Sequence, residues 1–378
     1  MLRPNPATVR RGHVIALFCI LLVFLVGMVA FAIDTGFVAA TRTQLQATSD
    51  SGALAGVEKL NTWPGQEVPE ASARAEARRF VGLNDSLTVR DVDMRLLRYN
   101  PLKPSGQRIS TAYSIISPPN AFEITLRRDT LANGRVSLFF APVLGQGDAD
   151  VRTKATAYIL PAKGIKPGAP MIPYTMQIDY YFACLGEERR GVDNKKITVA
   201  DDYTVQPDGT VVAGPDGVSE CVLFSSTQNK PGNFGSLDIG STSNGTPELD
   251  RQIANGPTTG DFNDPDFYQK IAADGALYTP VNVTGDTGLS TSTKHQFELI
   301  FGEPRIIPLY DTVTGTGNGA TYHIVAYAAI TVLTVDFNGT PKRLWIQPSK
   351  VTTNKVTAGD IDSVVSYGVF TPPKLVVP

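Results

Sequence analysis

Histidine and cysteine are scarce in this 378-residue chain, three of each, and their scarcity excludes a good deal of chemistry. His13, His295 and His323 lie far apart in the sequence, so a histidine base could act only if the fold brought a distant serine or cysteine to it. The Gly-x-Ser-x-Gly, His-Glu-x-x-His, phosphate-loop and dinucleotide patterns are missing. A zinc site is not expected from cysteines and histidines this few and scattered. Charge is thin as well. Asp, Glu, Lys and Arg make up 19% of residues with a net charge of -2, which fits neither a disordered acidic chain nor a basic nucleic-acid binder. The expectation is no catalytic residue, no cofactor, no metal, no nucleic acid and no small-molecule substrate. Adjacent acids such as Asp201-Asp202 and Glu187-Glu188 read as solvated turns. The stretch DFNDPDF gathers Asp261, Asn263, Asp264 and Asp266, but without the glycine and distal glutamate of an EF-hand loop it reads as Asx-turns before a helix.

What the sequence does have is one long apolar run. Val14 to Ile33 (VIALFCILLVFLVGMVAFAI) carries no charge, and at 1.5 Å per residue it matches the ~30 Å hydrocarbon core of a bilayer. Arg3, Arg10 and Arg11 precede it, Asp34 follows at once, and the next cation is Arg42. The positive-inside rule therefore puts residues 1–13 in the cytoplasm and the bulk of the chain outside. A cleaved secretory signal shares the basic start, but its apolar core is usually only ~7–15 residues. Here the helical pattern continues through AIDTGFVAATRTQLQ, with no proline before Pro64. A retained anchor at 14–33 is the favoured reading, with Cys19 as ordinary filling of the membrane helix.

Beyond the span, Gly36, Ala40, Thr43, Ala47, Ser51 and Ala55 recur at spacings of three and four, which sets small side chains along one helical face. Such a face lets another helix approach closely, as in small-xxx-small pairs. It could equally pack on this protein's own exterior unit. If Val14 to Leu60 is one helix, it runs roughly 70 Å.

These residues carry a resemblance. Arg11-Gly12, the apolar span and AFAIDTGFVAATRTQLQATSDSGALAGVEKL (Ala30 to Leu60) resemble the N-terminal region of the TadG-like proteins of bacterial Tad (tight adherence, Flp-type) pilus assembly. The matching features are the Ile33-Asp34-Thr35-Gly36 step, the Leu45-Gln46-Ala47-Thr48-Ser49-Asp50 step and the small-residue end at Ala53-Leu54-Ala55-Gly56. Segments 231–256, 284–290 and 303–311 resemble the exterior part of a subset of the same proteins. Type IV prepilins carry a glutamate at the fifth position after the processed glycine, whereas Leu17 stands five residues after Gly12. The Asp-x-Ser-x-Ser metal pattern of relatives with a von Willebrand A-type domain is absent at Asp238, where the chain reads DIGSTS. The resemblance implies a retained anchor in the bacterial cytoplasmic membrane. It also implies a non-catalytic assembly role through contacts with other pilus-assembly or pseudopilin-like membrane proteins. An anchored adhesion or ligand-binding protein is the alternative.

The fold class expected is α+β, a transmembrane helix continuing into a long helix and then a β-rich region with short helices. Gly (34) and Pro (27) punctuate short alternating stretches. A helix is expected at Ala71–Val81, and strands at Val89–Tyr99, Phe122–Leu126 and Val151–Leu160. The apolar run Val136–Leu144 is either a short helix or a buried strand. Residues 34–160 form a membrane-proximal helix and first α+β unit. Residues 161–173, with four prolines and two glycines, are the candidate linker, and 174–378 are a β-rich exterior domain. In the latter, Tyr174–Leu185 reads as a strand, Pro207-Asp208-Gly209 and Pro215-Asp216-Gly217 as tight turns, and Pro247–Asn255 and Thr293–Phe301 as short helices stopped by Gly256 and Gly302. Ile306–Tyr310, Thr321–Phe337 and Arg343–Gln347 return to strand, the last two as a hairpin around Asn338-Gly339. Cys184 and Cys221, 37 positions apart, are the only cysteines outside the span. An oxidising exterior permits their pairing, worth ~4 kcal/mol by loop entropy.

Overall fold

In the computed structural model, helix α1 (His13–Glu58) runs unbroken for 46 residues, about 69 Å at the standard rise. The structure describes residues 13–62, 65–190, 196–197, 199–224, 235–240, 245–287, 291–315, 319–338, 342–364 and 367–376. Over Val14–Ile33 nearly every side chain of α1 is exposed. From Asp34 onward one face turns inward, with Thr41, Leu45, Thr48, Ser49, Ala53 and Val57 buried. Serine and threonine do not break the helix, because their hydroxyls bond carbonyls one turn back: Thr41 to Phe37 at 2.9 Å, Thr48 to Gln44 at 3.0 Å and Ser49 to Leu45 at 2.9 Å.

The buried face of α1 and helix α2 (Glu70–Asn84) share one core with an antiparallel sheet. The first six strands are β1 (Met94–Tyr99), β2 (Ile109–Ser110), β3 (Ala121–Arg128), β4 (Val136–Ser137), β5 (Asp148–Ala149) and β6 (Val151–Tyr158). In β3, alternation sends Phe122, Ile124 and Leu126 into this core opposite Ala157, Ala155 and Thr153 of β6. Thr153 meets Ser49 of α1 at 2.6 Å between hydroxyls. Gly52 and Gly56 let the helix lie close: a Cβ on Gly56 would fall 2.6 Å from the Phe122 ring, and one on Gly52 would fall 2.9 Å from Val81. On the other face of the sheet Glu123 is buried beneath Arg95 and Lys154, which hold its carboxyl below the ordinary value against the opposing effect of burial.

Among the described residues the second unit has fourteen strands, β7 (Ala162–Ile165), β8 (Met176–Gln177), β9 (Tyr203–Val205), β10 (Val211–Ala213), β11 (Cys221–Phe224), β12 (Gly235–Leu237), β13 (Leu277–Tyr278), β14 (Val281–Thr287), β15 (Pro304–Thr314), β16 (Ala320–Asp336), β17 (Arg343–Pro348), β18 (Val351–Thr352), β19 (Val356–Ala358) and β20 (Val369–Phe370). Its spine is β16. Strand β15 pairs along one edge, while β14 and β17 divide the other. Where Leu309 pairs with Ala326 and Tyr310 with Ile324, a bulge re-phases the strand. Tyr322 and Ile324 therefore face one core, with Phe262 and Tyr310, whereas Ala326, Ala328 and Ile330 face the other, with Tyr174, Tyr181 and Leu309.

Tyr174–Leu185, expected as a strand, is instead a two-residue strand followed by helix α3 (Ile178–Cys184). The Gln177 side chain accepts from the amides of Asp179 and Tyr180 and so starts the helix, burying Tyr180, Tyr181 and Ala183. Helices α4 (Thr246–Asn255), α5 (Thr259–Phe262) and α6 (Lys294–Glu298) complete the unit. Gly256 caps α4 at φ 75°, where a Cβ would sit 1.8 Å from the Ala169 carbonyl oxygen. Residues 207–209 form the turn of the β9–β10 hairpin. The expected Asn338-Gly339 turn lies partly outside the described residues. In the segment 161–173, β7 pairs with β13 and β19, and Ala169, Met171 and Ile172 are buried.

The chain then returns to the first unit. Strand β21 (Lys374–Leu375) adds an edge to β6, giving the order β2-β1-β3-β6-β21, and Phe370 enters the core under α1. Alongside, Asp362 takes Arg98 at 2.8 Å, Lys103 at 2.6 Å and Asn100 at 3.0 Å. Lys103, Arg98 and Asn100 together lower the Asp362 carboxyl to about 2 against the cost of burial. A depressed carboxyl adds stability above its unfolded value near ~4 and loses it as pH falls toward the folded one. Because the pair is partly exposed, the contribution is on the order of 1 kcal/mol after screening. Between pH 4 and about 2, the thermal midpoint of the protein in detergent should fall more steeply than that of Asp362→Asn, which starts lower at neutral pH.

Candidate functional site

Asp34 follows the last apolar residue of the span and is nearly fully buried. Its carboxylate is held by three successive backbone amides, from Phe139 at 2.8 Å, Phe140 at 3.1 Å and Ala141 at 2.7 Å. Consecutive N–H groups converging on one anion form a concavity of the kind that binds phosphates elsewhere; here it is filled by the protein's own acid. Burial works to raise the Asp34 carboxyl, but the donors Phe139, Ala141 and Phe140 outweigh it and hold the group below the usual carboxylate range. One turn along α1, Phe37 meets Phe139 edge to face at 5.1 Å between ring centres. The 3₁₀ turn Ala141–Leu144 then closes on Gly145 at φ 83°.

Sequence reasoning did not foresee this tie. Val136–Leu144 divides into buried Val136 in β4, an exposed Phe139-Phe140 corner and the 3₁₀ turn. An isolated acid beside an apolar run looks like a membrane flank, and its partners here are backbone amides about a hundred residues away, which have no side-chain signature.

The small-residue face divides. Gly36, Ala40, Thr43 and Ala47 are exposed, and a Cβ on Gly36 would meet nothing within 4 Å. Ser51 is half-buried and accepts from Asn84 of α2 at 3.0 Å, and Ala55 is buried. The upper end thus packs on the protein itself while the lower four stand apart from it. Cys184, at the end of α3, and Cys221, at the start of β11, are bonded, with Cα atoms 5.7 Å apart. Cys19 is exposed in the apolar segment.

His295, His323 and the acids of the DFNDPDF segment meet structural partners. His323 Nδ1 lies 2.8 Å from Asp311 and His295 Nδ1 3.9 Å from Glu298, so each faces a carboxylate at the surface; the side chain of His13 is outside the described residues. Asp261 forms a capping box with Thr258 and pairs with Arg251 at 2.5 Å, and Asp264 accepts from the amide of Asp266 at 2.9 Å, an Asx-turn.

Replacing Asp34 by Asn removes the charge from a site built of donors and sets an amide NH₂ among N–H groups. The amides of Phe139, Phe140 and Ala141 should then exchange hydrogen markedly faster than in the parent protein, with the amides of β3 and β6 unchanged. Slow exchange in Asp34→Asn would mean that the carboxylate does not hold the turn.

Two family models match the chain. A TadE/G-like Flp pilus-assembly model covers residues 12–67, which is α1 and the chain leaving it, and a Tad-like Flp pilus-assembly model covers residues 55–157, from the end of α1 through almost all of β6. No match was found among curated proteins or among solved structures. The matched regions contain both sides of the Asp34 junction. Among the described residues α1 is the helix long and apolar enough to cross a membrane, and the bulk of the chain follows it. Over residues 12–157 the chain thus matches the TadE/G-like and Tad-like families of Flp pilus assembly, with α1 as its candidate membrane span and the bulk of the chain after it.

Proposed function

We propose that the protein is a non-catalytic part of the assembly machine, held in the cytoplasmic membrane with its N-terminus in the cytoplasm, and that it acts through contacts with other pilus-assembly or pseudopilin-like membrane proteins. The observation that carries this reading is the two-sidedness of α1 just past the membrane. One face is filled by the protein's own sheet, while Gly36, Ala40, Thr43 and Ala47 are left uncovered on the other. Small side chains allow close backbone approach of a second helix, and Thr43 directs its hydroxyl to the Ala39 carbonyl at 3.0 Å, so the face carries little unmet polarity. The orientation rests on Arg3, Arg10 and Arg11 ahead of the span and the absence of a cation from Asp34 to Thr41. The division of the exterior into a unit of residues 34–160 and a β-rich unit of 174–378 is part of the same proposal, with β7 joining the second unit and Phe370 and β21 returning to the first, which serves as the anchored base.

A photo-crosslinking residue at Ala40 or Ala47, in the full chain in its native membrane, should give adducts with other membrane proteins of the pilus machine, and the same residue at Ile116 should not. Capture of a surface ligand alone, with no pilus component from any position, would favour an anchored adhesion or binding protein instead.

A further inference from the structure

The exposed corner of the Asp34 turn has no role in either core. Phe139 is 64% exposed, Phe140 43% and Val143 87%, within a stretch, Val136 to Gly147, that carries no charge. A soluble surface seldom leaves two phenylalanines and a valine together in water. Their place along α1 gives the reason. The apolar run from Val14 to Ile33 fills a hydrocarbon core of ~30 Å, which puts Asp34 at its boundary. The amides of Phe139, Phe140 and Ala141 are hydrogen-bonded to that carboxylate, so the corner sits at the same depth, within a few ångströms of where the helix leaves the acyl chains.

We propose that this turn is a second membrane contact: Phe139, Phe140 and Val143 enter the headgroup–acyl boundary of the leaflet from which α1 emerges. Each feature of the turn suits that setting. Its three N–H groups would be costly to bury in lipid unpaired, and Asp34 satisfies them. Phe37 braces Phe139 from the helix side. The charged side chains that come next along the chain on either side, Arg135, Asp148 and Asp150, are paired with one another beyond the ends of the stretch. Aromatic and branched apolar side chains at this depth bind a bilayer through their buried area. Two attachments in place of one would stop the exterior unit from swinging about α1, holding its sheet at a set angle to the membrane.

The inference rests on α1 being a span, so the test reports on both. The full chain carrying Cys19→Ser, with the Cys184–Cys221 bond intact, takes one further cysteine at Val143, Leu25 or Ile116. Each variant is labelled with an environment-sensitive fluorophore and reconstituted in phosphatidylethanolamine–phosphatidylglycerol vesicles containing nitroxide lipids. Leu25 is in the span. Ile116 is exposed near the far end of α1, where the Ile115 carbonyl accepts from the Gly65 amide. The label at Val143→Cys should show blue-shifted emission, strong quenching by nitroxides near the headgroup and loss of quenching by aqueous iodide. The label at Ile116→Cys should show the reverse. Quenching by lipid at Leu25→Cys but free access of iodide at Val143→Cys would overturn the second contact and leave the anchor standing. Shielding from iodide without nitroxide quenching would mean that protein covers the turn and would also overturn it. Absence of lipid quenching at Leu25→Cys would remove the anchor and the inference together.

Discussion

Between Ile33 and Asp34 a single helix passes from an exposed apolar run to a face buried against the protein without changing conformation, and the rest of the molecule is arranged around that passage. Within the span, every backbone group bonds inside the helix and the side chains are apolar all round, as lipid demands. Beyond it the same helix must be amphipathic. A buried stripe from Thr41 to Val57 supplies Leu45, Ala53 and Val57 to the core of the first sheet, with Gly52 and Gly56 making room for Val81 and the Phe122 ring. Because no turn separates anchor from core, the sheet cannot move relative to the membrane except by tilting or bending α1.

The first sheet is in turn closed by residues distant in sequence. Strand β21 joins its edge, Phe370 enters its core, and Asp362 draws Arg98, Lys103 and Asn100 together. The second unit thus returns its chain to the base from which it set out. Within that unit the long strand β16 serves two cores from its two faces, with a bulge between Ile324 and Ala326 exchanging which residues face each, and the Cys184–Cys221 bond ties α3 to β11 at one edge of the same sheet.

Much of this is legible in the sequence wherever the signal is local. The span, α2, β1, β3, β6 and the stop at Gly256 follow from hydropathy, alternation and cap chemistry, and the cysteine pair follows from compartment; the helix expected at Thr293–Phe301 instead ends at Glu298, short of Gly302, because Phe301 bridges to Val332. What escapes is set by partners far along the chain. Gln177 turns a β-like aromatic run into α3 by capping it, and burial of Tyr180 and Tyr181 keeps it helical. Periodicity places Gly36 and Ala55 on one face, but not where along that face the protein's own packing begins; the answer, at Ser51, depends on where α2 crosses. The bonds from Phe139, Phe140 and Ala141 to Asp34 join backbone to side chain over more than a hundred residues, beyond any local pattern.

The central claim is that α1 is structural to the exterior unit as well as an anchor for it. Thermal unfolding followed by near-ultraviolet circular dichroism, on a chain beginning at Asp34 and on one beginning at Asn61, tests it directly. The chain from Asp34 keeps Leu45, Ala53, Val57 and Leu60 and should unfold cooperatively without a membrane. The chain from Asn61 should lose the transition of the first sheet. Equal midpoints and equal tertiary signals from the two would contradict the account and make α1 a detachable anchor.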